Sequence, residues 1–224
     1  MARCWTLRLV GAMASVAGAW LLGGCGTASP AGKDATALFN GRDLAGWTPL
    51  TKGYYDLPGA VRARGGRIEL AKGNAMTGLR WAGVFPKDNY EVSLEAMRTD
   101  GRDFFCGVTF PVSGSHASLI VGGWGGQVVG ISNVDEEPAS ENETTEIVQF
   151  QSNRWYPIRL RVFDERLTVW IGGTKTIDLA TTGRRFAVWP QMEDARPFGF
   201  STWFTGSALR KITLRRLTPP KRIE

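Results

Sequence analysis

Three stretches of this chain alternate apolar and polar side chains with a period of two, and that period commits them to extended structure. Tyr90-Glu91-Val92-Ser93-Leu94-Glu95-Ala96 sets Val92, Leu94 and Ala96 on one face and Glu91, Ser93 and Glu95 on the other. Residues 158–162 repeat the pattern with Arg159 and Arg161 outward, and residues 209–217 carry Ile212 and Leu214 on one face. Successive side chains of a strand point to opposite sides, so these are strands with one buried face. Runs rich in β-formers predict further strands at 67–71, 79–85, 104–110, 118–122, 128–134, 147–151, 166–171, 175–179 and 197–204. Gly172-Gly173 supplies the positive φ angles of a two-residue hairpin turn. No long stretch carries a helical period. About a dozen short strands joined by Gly, Pro, Asp and Asn turns predict an all-β fold, a sandwich or jelly roll of two antiparallel sheets. Residues 135–145, polar and acidic, read as a long loop.

The first part of the chain obeys different rules. Arg3 and Arg8 make a basic start, residues 9–24 carry no charge, and Leu22-Gly23-Gly24-Cys25 closes the run. An apolar core shorter than the ~20 residues of a spanning helix, followed by small residues, predicts a cleaved export signal over 1–24. Its ending resembles the lipobox of bacterial lipoproteins, which implies lipidation of Cys25 and anchoring to a bacterial membrane on the envelope side. Residues 25–36, containing Gly-Thr-Ala-Ser-Pro-Ala-Gly, read as a flexible tether, 37–218 as one domain and 219–224 as a basic tail. Cys4 is lost with the signal, so Cys106 is the one thiol left to the domain, and its apolar setting reads as packing. The formal net charge of the 224 residues is +6. Without Arg3 and Arg8 it falls to about +4, too little and too dispersed to predict nucleic-acid binding. The cluster Arg210, Lys211, Arg215, Arg216, Lys221 and Arg222 reads as a solvated strand face and tail.

Leu38-Phe39-Asn40-Gly41-Arg42-Asp43-Leu44-Ala45-Gly46-Trp47 resembles the opening motif of the bacterial 3-keto-disaccharide hydrolase domain family. Asn89 to Glu95, Trp155 to Val162, Leu167 to Gly173 and Leu209 to Leu214 resemble its later strands in the same order, so the resemblance covers residues 37–217. It implies a concanavalin-A-like jelly roll, export, and action on oxidised disaccharides. Pro111 stands where the family's corresponding strand ends in arginine, and 115–126 also departs from the family pattern. Two functions therefore stay open. One is elimination and hydration of 3-keto-glycosides; the other is a non-catalytic carbohydrate-binding or cell-surface interaction module.

The implied reaction needs a base for the hydrogen on carbon 2, a donor for the enolate oxygen and an acid for the leaving group. His116 is the one histidine and titrates near neutrality. His116, Asp103 and Glu143 are the catalytic candidates. Trp124, set between glycine pairs, and Trp203 are candidate sugar platforms, with Glu141 and Asn142 as further substrate contacts. His116, Trp124 and at least one of Asp103, Glu141 and Glu143 are expected in one concave pocket. Conventional glycosidase chemistry is excluded for Glu91 and Glu95: four residues apart on one strand face, they sit ~13 Å apart, beyond the ~5–9.5 Å of a catalytic carboxylate pair. With one histidine and one free thiol, a zinc site of those ligands is not expected. The acidic loop offers oxygen ligands to calcium but matches no dedicated calcium loop. No cofactor is called for.

Overall fold

The computed structural model describes residues 34–219; the predicted export signal and Cys25 lie outside them. The strands are β1 (Thr36–Ala37), β2 (Trp47–Pro49), β3 (Val61–Arg64), β4 (Arg67–Leu70), β5 (Met76–Trp81), β6 (Tyr90–Asp100), β7 (Cys106–Val112) and β8 (Ser115–Gly123). They continue with β9 (Val128–Ser132), β10 (Glu146–Ile147), β11 (Tyr156–Phe163), β12 (Arg166–Ile171), β13 (Thr174–Ala180), β14 (Gly199–Trp203) and β15 (Gly206–Arg216). The first sheet runs β13-β12-β11-β6-β15-β4-β3, with β1 also paired to β15; the second runs β10-β9-β8-β7-β14-β5-β2. Every pairing is antiparallel. Two antiparallel sheets packed face to face form the jelly-roll sandwich that the alternation predicts.

The three alternating stretches are β6, β11 and β15, adjacent in the middle of the first sheet. Val92, Leu94, Ile158, Leu160, Ile212 and Leu214 all enter the main core between the sheets. Strands β7, β8 and β9 face them with Val108, Phe110, Leu119, Val121 and Ile131. Gly172 and Gly173, at φ 62° and 90°, turn β12 into β13 as expected. Cys106 is buried and free, and burial pushes its thiol well above the ordinary range.

Some expected strands are displaced. The strand expected at 79–85 is β5, which starts earlier and ends at Trp81; Phe85 instead stacks on Phe198 with ring centroids 4.1 Å apart. The strand expected at 147–151 shrinks to β10, because Phe150 turns inward against Phe105 and Tyr156. β7 runs on through Pro111. Pairing of β14 with β7 ends at Thr109, so no partner on that side needs the missing N–H, and the Pro111 carbonyl accepts the Tyr90 hydroxyl at 2.6 Å.

A second buried cluster lies on the outer face of the second sheet. Segment 186–196, ending in the 3-10 turn Pro190–Ala195, folds over that face. It packs Val188, Met192 and Ala195 against Ile120, Met76, Tyr55 and Phe104. The second sheet is therefore covered on both sides, and β7 and β9 are buried at every position.

Candidate functional site

Beyond the covered part of that face, at the Trp124 end of β8, lies a cavity of about 310 Å³ lined by Asp103, Phe104, Ile120, Trp124, Trp189 and Trp203. Its aromatic wall is built edge to face. Phe104 and Trp189 lie 5.7 Å apart at 80°, and Trp189 and Trp203 lie 5.3 Å apart at 70°. Trp203 then meets Phe204 at 5.3 Å and 90°. Such pairs hold ring orientation by quadrupole attraction as well as by burial. The strands set these rings: the Trp203 amide donates to the Phe104 carbonyl (3.1 Å), and the Trp189 amide donates to Ser118 Oγ (3.1 Å).

Trp124 enters from a glycine turn. Register shifts between Val121 and Gly123, and a side chain at Gly122 would press on the Phe105 ring. A Cβ at Gly126 would come within 2.6 Å of the Arg102 carbonyl. Between them Trp124 takes φ 48° and remains 45% exposed. Phe204, across the cavity wall, has φ 44°. Left-handed backbone costs bulky side chains on the order of 1–3 kcal/mol, and such residues cluster where function holds them.

Asp103 fastens this turn to the start of β7. Its Oδ1 accepts from the Phe104 amide (2.7 Å), its Oδ2 from the Gly125 amide (3.3 Å), and its own amide donates to Thr205 Oγ1 (3.0 Å). It is the one titratable side chain on the cavity wall.

Three of the residues proposed from sequence, Asp103, Trp124 and Trp203, thus meet in one cavity, and four do not join them. His116 lies near the start of β8 on the same outer face as Ile120, eight residues from Trp124, or ~26 Å along a strand. Segment 186–196 lies between the two. Burial lowers the His116 pKa from 6.5, Arg196 lowers it further and Glu193 opposes them. Glu141 is exposed on the loop joining β9 to β10. Asn142 is the buried staple of that loop: its Nδ2 lies 2.8–3.0 Å from the carbonyls of Ile131, Glu137 and Pro138. Glu143 is paired with Arg184, which also binds Asp135, so these two acids of the loop meet a cation of the chain itself. Among the described residues no group of three or more His, Cys, Asp or Glu is placed to hold a metal ion.

Trp189 carries no sequence signal that marks it for the site. Only the path of segment 186–196 carries it over the sheet, and nothing in Ala187-Val188-Trp189-Pro190 announces that path.

A family described as the 3-keto-alpha-glucoside-1,2-lyase-like domain matches residues 34–215. No curated protein matches the sequence. Among solved structures, a candidate glycosyl hydrolase from Parabacteroides distasonis superposes with a TM-score of 0.54 at 14% identity, covering 83% of this chain and 94% of that one. A Bacillus subtilis protein of unknown function with a galectin-like fold gives 0.55 at 8% identity, covering 79% and 92%. The Crh5 transglycosylase in complex with NAG gives 0.53 at 12%, covering 84% and 85%. At these identities the likeness is one of fold.

Proposed function

Since this chain belongs to the 3-keto-alpha-glucoside-1,2-lyase-like domain family, we propose that it is a carbohydrate-recognising protein of the bacterial envelope whose sugar site is the tryptophan cavity. One observation carries the reading: three indoles and a single carboxylate converge on a cavity of about 310 Å³. Pockets of ~300–1,000 Å³ with apolar walls and few polar groups suit small ligands. An indole face matches the C–H face of a sugar ring, and Asp103 is placed to accept from a hydroxyl.

A second reading, favoured by the family, is cleavage of a 3-keto-glycoside. The ketone acidifies the hydrogen on carbon 2, and the Asp103 carboxylate takes that proton. The electron pair moves to the carbon-3 oxygen as an enolate, whose collapse forms the C1–C2 double bond and expels the glycosidic oxygen. That oxygen takes a proton from Asp103 or water, and water adds across the double bond. Asp103 serves here as both base and acid because the cavity wall holds no second titratable group.

The test is titration of the purified chain with 3-keto-trehalose, following indole fluorescence and product release together. Trp124→Ala should weaken binding about tenfold, equivalent to ~1.4 kcal/mol. If the chain turns over, Asp103→Asn should lower the rate by about 10²–10⁴ with modest change in binding. Binding without product identifies a recognition module. Neither binding nor product from the wild-type chain sinks both readings.

A further inference from the structure

The outer face of the first sheet carries an uneven distribution of charge. On β6, Glu91 is almost fully buried under three arginines: Arg161 at 2.6 Å and Arg215 at 2.8 Å, with Arg159 at 3.8 Å. Glu95, on the same strand, is held by Arg210 and Lys211 at 2.6 and 2.7 Å. At the sheet's edge Asp178 is shared by Arg166 and Lys175. At the other edge Arg62, Arg64 and Arg67 accompany Glu69.

The outward position of these groups follows from strand alternation, since Ile68, Val92, Leu94, Leu160, Val169 and Leu214 from the same strands point into the core. This single face therefore presents ten Lys and Arg against four carboxylates. Over the rest of the described residues the balance reverses, twelve against sixteen. The exposed acids Glu136, Glu141 and Glu143 lie on the loop joining β9 to β10 of the opposite sheet.

Every carboxylate of the basic face already has its cations, so the surplus of six remains for a partner. The guanidinium groups are also preset. Arg159 lies 3.8 Å from the Trp170 ring centroid and Arg210 lies 4.0 Å from that of Trp155. Arg159 Nε is buried without a hydrogen-bond partner. Stacking on indole restrains these side chains, so less entropy is lost when an anion binds.

We propose that this face docks on an anionic phospholipid bilayer. Where the chain enters the domain selects a bilayer over other polyanions. Thr36–Ala37 pairs with Thr213 and Leu214 of β15, in the middle of the basic sheet. Only eight residues lie between Cys25 and Asp34, a reach of ~30 Å at most. A lipid on Cys25, which is part of the envelope reading above, would bring this sheet within contact distance of the headgroups. Cations near an anionic leaflet add their attractions, and the field decays within a Debye length. The acidic loop then faces away from the membrane.

Lysine acylation by a water-soluble amine reagent tests the orientation without altering the protein. The full-length chain is bound to vesicles of phosphatidylcholine, or of phosphatidylcholine with phosphatidylglycerol, and labelling is read per lysine by peptide mass spectrometry. Lys175 and Lys211 belong to the basic face, whereas Lys52 sits at the turn Gly53–Tyr55, which packs beside β5 of the other sheet. On anionic vesicles Lys175 and Lys211 should label about three- to tenfold more slowly than on neutral ones, Lys52 should not change, and about 1 M salt should abolish the difference. Equal labelling on the two vesicle types overturns the proposal, as does equal slowing at Lys52. Protection by soluble dextran sulfate but not by anionic vesicles also overturns it, in favour of a polyanionic polymer. Co-flotation with neutral vesicles reports the lipid anchor separately, so failure of anchoring and failure of docking are distinguishable.

Discussion

At the scale of single residues, Asp103 and His116 show how position divides two groups with similar proton-transfer chemistry. Asp103 accepts hydrogen bonds from amides on both sides of the cavity mouth and lies among indoles. His116 lies within electrostatic reach of Glu193 and Arg196 at the turn Pro190–Ala195, with Nδ1 buried and unpaired. Burial and Arg196 disfavour its imidazolium form, and Glu193 only partly offsets them. The unfolded chain therefore takes up this proton more readily than the folded one. Its contribution to stability is complete above pH 6.5 and is lost as pH falls through the lowered folded-state value. His116→Gln should flatten the fall in thermal midpoint between neutral and mildly acidic pH. Parallel wild-type and variant curves would show that His116 does not supply that slope. Activity at the cavity should be unchanged by this substitution, because the residue lies at the far end of β8.

At the scale of elements, β6, β11 and β15 are tied together twice. Their inward faces share the apolar core, and their outward faces converge on Glu91, whose side chain is only 7% exposed. Arg161 and Arg215 come from the strands on either side, so one carboxylate links three strands. Replacing it leaves three arginines crowded without their counter-charge. Because those arginines are about a third exposed, the loss should fall below that of a fully buried pair. Glu91→Gln should cost about 2–3 kcal/mol, between the values for exposed and buried ion pairs. Urea unfolding measures this as a lower midpoint at unchanged slope. A midpoint within error of wild type would mean that the apolar faces alone hold the three strands. Glu95 extends the pattern: burial works to raise its carboxyl, and hydrogen bonds from Lys211 and Arg210 outweigh that and hold it low.

At the scale of the whole molecule, the two sheets have different outward chemistry. One is a basic, solvent-facing surface. The other is covered by segment 186–196 and opens at one end into the tryptophan cavity. A protein held by its N-terminal side near a bilayer would keep that cavity away from the headgroups and open to sugars of the envelope. The anchor itself is testable in cells. Cys25→Ser removes the thiol that lipid attachment needs, so incorporation of a fatty-acid analogue should disappear and an uncleaved or mislocalised precursor should accumulate. Equal label on wild type and variant would remove the anchor from this picture.

The all-β class and the central strands of the first sheet were legible in the sequence because they depend on a local rule; the short edge strands β1 and β3 carry too few residues to show it. A strand with one face in water must alternate, and β6, β11 and β15 do. The second sheet was harder to delimit, since burial on both faces erases alternation and leaves contiguous apolar runs such as Phe104 to Phe110. The glycine turn around Trp124 could be located from composition alone, because positive φ and close backbone approach demand glycine. The company Trp124 keeps could not. Trp189 and Trp203 reach it from segments 65 and 79 residues further along, and His116, only eight residues away, does not reach it at all. Which stretches extend, and which side of each turns inward, can be read from residue order, because backbone geometry sets both locally. Which side chains share a cavity and which arginines gather on one face cannot, because those neighbours follow from strand order and from the path of one covering segment.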